Sequence, residues 1–170
     1  AMGANFINSC LEEIAGTFER QASTYSDFSE GNSPKVVMSI LSNYVPECLV
    51  RAHVECPVAD LGDGKVDGAA FASDFVRAVD IARTEVRRAV THNKGIMNGV
   101  DAVAIATGND WRAIESAAHA YAARDGQYRS LTRWYANEQG DLCGEIKIPM
   151  KVGTVGGSLE TNPSVRINHR

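Results

Sequence analysis

The residues best suited to chemistry lie between Arg88 and Asp110. Thr91-His92-Asn93-Lys94-Gly95-Ile96-Met97-Asn98-Gly99 puts a lysine, a histidine and two asparagines ahead of an apolar stretch. The pattern reads as the mouth of a buried helix, where a lysine beside a glycine can reach inward. An ammonium group there can stabilise negative charge developing on a carbonyl oxygen, the work of an oxyanion hole. Arg88, six residues earlier, can grip a carboxylate with both arms of its guanidinium. The plain alternative is a solvated loop that caps a helix. Asp110 follows Gly108-Asn109 at the end of the apolar stretch. A carboxylate at such an edge has its pKa raised by burial, or holds a lysine by charge. Asn109 or Asp110 would serve equally well as the N-cap of a following helix.

Other polar groups carry less. His92 and His119 read as packed or hydrogen-bonded structural histidines rather than acid–base groups. His119 has no obvious partner in sequence, and His169 sits in a polar tail. Glu138, Asp141 and Glu145 read as the solvated face of a hairpin. Near the start, Met2-Gly3-Ala4-Asn5 directly precedes a helical pattern. Glycine at a helix N-terminus lets a phosphate or pyrophosphate approach free backbone N–H groups. Small residues at that place also serve for ordinary capping.

The elements that must hold these groups follow from hydrophobic spacing. Ile7, Cys10, Leu11, Ile14 and Phe18 form one face of a helix over 6–18. Residues 21–34 read as a loop, Val36–Leu41 as a short β-prone run, and Cys48–Val58 as a strand. A helix is expected over 69–89, with Phe71, Phe75, Val79, Ala82 and Val86 on one stripe. Ile96 to Thr107 is helical in period and so uniformly apolar that burial on most sides is expected. A further helix runs from Trp111 to about Arg124, rich in alanine and stopped by Gly126. Tyr128–Tyr135 and Leu142–Met150 then alternate about Asn137–Gly140 as a hairpin, and Gly153–Gly157 is a turn. Long helices with hairpins, and no β-α-β alternation, make the fold class α+β.

Composition narrows the partners. A formal net charge of −4 argues against a general nucleic-acid binder, which needs a basic face to neutralise phosphates. No apolar run reaches the roughly 20 residues that span a bilayer, so no membrane partner is expected. Cys10, Cys48, Cys56 and Cys143 form no C-x-x-C pair and no zinc-finger spacing, and read as reduced thiols of a cytoplasmic protein.

Taken in order, these segments resemble the class II, bacterial-type HMG-CoA reductases. Ala1-Met2-Gly3-Ala4-Asn5 resembles the D-A-M-G-x-N cofactor motif, with its leading Asp absent. His92–Gly99 is similar to the family's lysine motif, and Ala106-Thr107-Gly108-Asn109-Asp110 to its aspartate motif. Ala118–Ala122, Asp125–Tyr128 and Val155-Gly156-Gly157 also fit. The resemblance covers nearly the whole chain; residues 21–34 and 59–70 match least.

The resemblance implies two hydride transfers from NADPH or NADH, interconverting HMG-CoA and mevalonate plus coenzyme A. It implies that Lys94 stabilises the oxygen that becomes an alkoxide and that Asp110 tunes the lysine. It further implies that Arg88 binds the substrate carboxylate and that Asn98 is an active-site asparagine. Met2, Gly3, Ala4 and Asn5, and Asn43 less directly, would contact the cofactor. Residues 1–44 would be the tail of a small, ferredoxin-like NAD(P)-binding domain, and 45–170 part of a large, helix-rich substrate domain with β hairpins. The family's upstream glutamate and downstream histidine have no counterpart here, so these residues alone are expected to be catalytically incompetent. The runner-up is a non-catalytic dimeric module that binds a nucleotide or acyl-CoA. If Lys94 and Asp110 were joined by one continuous helix, roughly 24 Å would separate them. Either the chain then bends back, or the lysine meets an aspartate of a second subunit; the homodimer with a shared active site that the resemblance implies suits the second.

Overall fold

The computed structural model describes residues 4–28 and 31–153, with 163 and 167. Two compact units divide it: residues up to 42 with 107–109 and 153, and residues 43–106 with 110–152.

In the first unit, helix α1 spans Ala4–Ala22. It is longer at both ends than its apolar spacing requires, and that apolar face is largely uncovered: Ile14 is 62% and Phe18 51% exposed. The β-prone run Val36–Leu41 forms no strand. Side chains of α1 bind its backbone instead. Val36 N donates to Glu19 Oε1 at 2.7 Å, and Leu41 N donates to Asn8 Oδ1 at 3.0 Å. β-propensity yields here because, among the described residues, no neighbouring strand offers a ladder.

The second unit is α+β, as expected. Strands β1 (Leu49–Cys56), β2 (Thr132–Ala136) and β3 (Leu142–Pro149) make an antiparallel sheet in the order β1-β3-β2. β3 runs centrally, pairing from Leu49↔Pro149 to Cys56↔Leu142 on one side and from Thr132↔Ile146 to Ala136↔Leu142 on the other. Asn137 closes the hairpin, its Oδ1 accepting from Gln139 N (3.0 Å) and Asp141 N (2.8 Å). The hairpin carboxylates are not simply solvated. Asp141 Oδ1 accepts from Val58 N at 3.1 Å and Glu145 Oε1 from the Tyr135 hydroxyl at 3.2 Å, both half-buried.

Three helices complete the unit: α2 (Gly68–Thr84), α3 (Val86–Ala106) and α4 (Trp111–Ala122). The single helix expected over 69–89 is broken at Glu85, whose backbone turns extended (φ −105, ψ 118). Glu85 then caps α3, its carboxylate accepting from Arg87 N (3.1 Å) and Arg88 N (2.8 Å). Those backbone N–H groups hold its pKa below the usual carboxylate range. α3 ends at Ala106, and Gly108, two residues on, takes the left-handed conformation (φ 72) that turns the chain.

The core gathers Met97 and Ala104 of α3, Ile114, Ala118 and Ala122 of α4, Leu131, and Ile148 of β3. α2 reaches the sheet through Phe75, edge-on to Trp134 at 4.9 Å between centroids. The Trp134 ring lies over Gly144, where an added Cβ would come within 2.7 Å of it. Burial of α3 is one-sided, contrary to expectation: Val103 is 65% and Ile105 57% exposed.

One polar residue sits fully inside. Asn93 is 0% exposed; its Nδ2 donates to Arg129 O at 2.8 Å and its Oδ1 accepts from Leu131 N at 2.9 Å. Both halves of the amide are satisfied by one segment of backbone, so Asn93 rivets α3 to residues 129–131. Asn93→Ala leaves a buried N–H and a buried C=O without partners, and should cost at least about 2 kcal/mol in urea denaturation. A loss under about 0.5 kcal/mol would mean that the segment is held by packing alone.

Asp101, also on α3, is the opposite case. Its Oδ1 is buried without a hydrogen-bond partner among the described residues. Burial first, and then the Glu115 carboxylate, push its pKa up; His119 opposes them. The folded state therefore holds the proton more tightly than the unfolded chain. Stability is greatest below the ordinary Asp range and falls as pH rises through the elevated folded value. Asp101→Asn should accordingly raise the melting temperature at neutral pH, with the gain shrinking in acid below about pH 4. An equal gain at both pH values would show that ionisation is not the cause.

Candidate active site on helix α3

His92, Asn93 and Lys94 lie inside α3, not in a loop at a helix mouth. The rivet explains what this does to the lysine. Ala89, Asn93, Met97 and Ala104 form the buried stripe of α3. With that stripe fixed against 129–131 and the core, helical periodicity turns Lys94 outward. Lys94 is exposed, and among the described residues it forms no hydrogen bond or ion pair. Asn98 follows at i+4 on the same face, also exposed. Asp101 continues that stripe at i+7, half-buried toward Glu115 and His119 of α4.

Arg88 lies in the first turn of α3, with its backbone N–H held by Glu85 and its side chain exposed. About 9 Å of helical rise separates it from Lys94. His92 adds a second fastening beside the rivet, its Nε2 lying 2.8 Å from Thr132 Oγ1. Burial and then the Arg88 charge push the His92 pKa down. A packed or hydrogen-bonded structural histidine is what the sequence predicts there. His119 likewise proves hydrogen-bonded, its Nδ1 lying 2.7 Å from the Tyr128 hydroxyl.

Asp110 is the N-cap of α4, with Oδ1 accepting from Ala113 N at 3.2 Å. That resolves the choice between Asn109 and Asp110; Asn109 turns to Thr107 Oγ1 at 2.9 Å. One carboxylate oxygen is thus used by the helix, and Oδ2 has no partner among the described residues. No ion pair joins Asp110 to Lys94. Twelve helical residues lie between Lys94 and the end of α3 at Ala106, about 18 Å of rise, before the chain turns toward Asp110. Within one chain the helix carries the two groups apart.

Of the other expected residues, Met2 and Gly3 lie outside the described residues. Ala4 and Asn5 open α1, whose first turn contains no acidic residue. Asn43 is exposed, in the second unit. The structural role of Asn93 was the main omission in reading the sequence. The spacing Ala89, Asn93, Met97 would have disclosed it, because an asparagine on a helix's buried stripe must find backbone partners.

The chain matches the sequence profile of the hydroxymethylglutaryl-coenzyme A reductases over residues 1–170. It is 39% identical over 168 residues to the 3-hydroxy-3-methylglutaryl-coenzyme A reductase of Archaeoglobus fulgidus, covering 99% of this chain and 35% of that protein. A probable reductase of Borreliella burgdorferi is 37% identical over 162 residues, covering 95% of this chain and 35% of that one. Among solved structures, the NADPH-bound class II reductase of Streptococcus pneumoniae superposes with a TM-score of 0.81 at 44% identity, covering 99% of this chain and 39% of that chain. The chain therefore spans about a third of the length of the curated relatives it matches. With the family profile matched from end to end and a class II fold shared at this identity, the chain belongs to the class II HMG-CoA reductase family.

Proposed function

We propose that this chain supplies the catalytic helix of a cytoplasmic oxidoreductase that interconverts HMG-CoA and mevalonate plus coenzyme A. The observation that carries the reading is Lys94: an exposed, unpaired ammonium on a helix whose rotation is locked by the buried Asn93 amide. The helix fixes the face from which the lysine departs, and its flexible stem can then carry the ammonium to a developing oxyanion. In this reading Lys94 donates to the thioester oxygen as it becomes an alkoxide. Asn98, on the same face, donates to substrate oxygen. Arg88 holds the terminal carboxylate of the hydroxymethylglutaryl group with its planar fork. Asp110 keeps Oδ2 for the Lys94 ammonium while Oδ1 fixes its position on α4.

The cofactor, NADPH or NADH, supplies the hydride. The residues present fit a dinucleotide: α1 begins at Ala4, and no acidic side chain in its first turn repels a pyrophosphate. Met2, Gly3, Ala4, Asn5 and Asn43 are assigned to that contact. Residues 1–44 are read as the end of the small cofactor domain, and 45–170 as part of the large substrate domain.

The test is a chimera in which these residues replace the corresponding segment of the Streptococcus pneumoniae reductase. Lys94→Ala should lower kcat by about 10²–10³-fold with NADPH affinity unchanged. A chimera that binds NADPH and acyl-CoA yet turns over no faster than its Lys94→Ala variant would favour a non-catalytic binding module.

The separation of Lys94 from Asp110 along α3 extends the reading to a homodimer whose active sites are shared. Mixing Lys94→Ala with Asp110→Ala chimeras should then restore up to half the activity per hybrid dimer. One of the two shared sites in each hybrid has both residues intact. If hybrids stay as inactive as their parents, both residues come from one subunit.

A further inference from the structure

A cavity of about 520 Å³ opens in the second unit between the C-terminal ends of α2 and α4, the 129–133 segment and the polar side of β3. Its wall carries five cations (Arg83, Arg124, Arg129, Arg133, Lys147) against three carboxylates (Asp80, Asp125, Glu145), in a chain whose net charge is −4. Two carboxylates are already spent. Asp80 pairs with Arg83 at 3.3 Å and Asp125 with Arg124 at 3.7 Å. The third, Glu145, accepts from the Tyr135 hydroxyl and faces Arg133 across the strand pair without forming an ion pair. Arg129, Arg133 and Lys147 are thus left with no carboxylate within 4.0 Å among the described residues.

Two of these guanidinium groups are also held in place. Arg129 Nη1 donates to Arg83 O at 2.9 Å, and its backbone carbonyl is fixed by Asn93. Arg133 lies over the Tyr135 ring, 5.0 Å from its centroid. Their remaining N–H groups stay free while part of their ordering entropy is already lost, the condition that favours binding of a charged ligand. We propose that this cavity binds a phosphorylated small molecule, with Arg129, Arg133 and Lys147 as its recognition set. Three cations lining one cavity match a ligand of at least two negative charges, and planar forks suit phosphate oxygens. The volume suits a small metabolite. Neither Lys94, Arg88, Asn98 nor Asp110 lines the cavity, so the site is separate from the reductase chemistry and stands without it.

Calorimetric titration of the full chain with inorganic pyrophosphate, and separately with ribose 5-phosphate, tests the site. Binding is expected, weakened by salt. Lys147→Gln and Arg133→Gln, both exposed and outside the hydrogen-bonded framework, should each weaken it about tenfold. Asp80→Asn, which frees Arg83, should strengthen it. Binding of both probes with this dependence identifies a phosphate-ester site; binding of pyrophosphate alone identifies a site for the inorganic ion. No binding by either probe overturns the proposal. So does binding that ignores Lys147→Gln and Arg133→Gln, or that disappears only with Arg88→Gln.

Discussion

The second unit turns on the buried amide of Asn93. A helix lying on a core can rotate or slide by small steps at little cost when its contacts are only apolar, because methyl groups pack in many ways. An asparagine with both amide atoms bonded to one stretch of backbone removes that freedom, since any shift leaves two buried polar groups unsatisfied. Asn93 binds Arg129 O and Leu131 N in this manner. Leu131 is thereby delivered to the core beside Met97, Ile114 and Ile148. His92, bonded to Thr132, repeats the fastening one residue away.

Both proposed sites depend on that rivet. On the outer side of α3 it sets the direction of Lys94 and Asn98. On the inner side it sets the backbone of 129–131, and through Arg129 the link to the end of α2 at Arg83. A catalytic group needs placement to within a fraction of an ångström, and a side chain on a rigid helix achieves it better than one on a loop. Adjacent residues thus differ in role: Asn93 holds the helix, and Lys94, the proposed oxyanion stabiliser, stands exposed on its outer face.

Asp101 marks where the same helix departs from such economy. A buried carboxylate oxygen without a partner is costly, and it sits on the stripe that carries Lys94. Its neighbours Glu115 and His119 belong to α4, which Asp110 caps. The acidic and basic groups along the α3–α4 contact are therefore coupled electrostatically through short range, whereas the part of α3 that follows Lys94 lies between it and Asp110.

By itself the sequence determined the elements with strong periods and clear punctuation. The alanine-rich α4, the hairpin around Asn137, a strand within Cys48–Val58 and the α+β class all follow from local spacing and turn chemistry. So does family membership, because an ordered series of short motifs is specific even when each is weak. Tertiary structure decided the rest. Val36–Leu41 has the residues of a strand but no neighbour to pair with among the described residues, and pairing is not a local property. The break at Glu85 depends on a carboxylate choosing to cap the next helix, which competes closely with continuing the last one. The outward direction of Lys94 depends on which stripe of α3 is buried, and that is fixed by two backbone atoms about 36–38 residues further along the chain. Local sequence states what each residue prefers; only the folded chain states which distant groups are there to satisfy it.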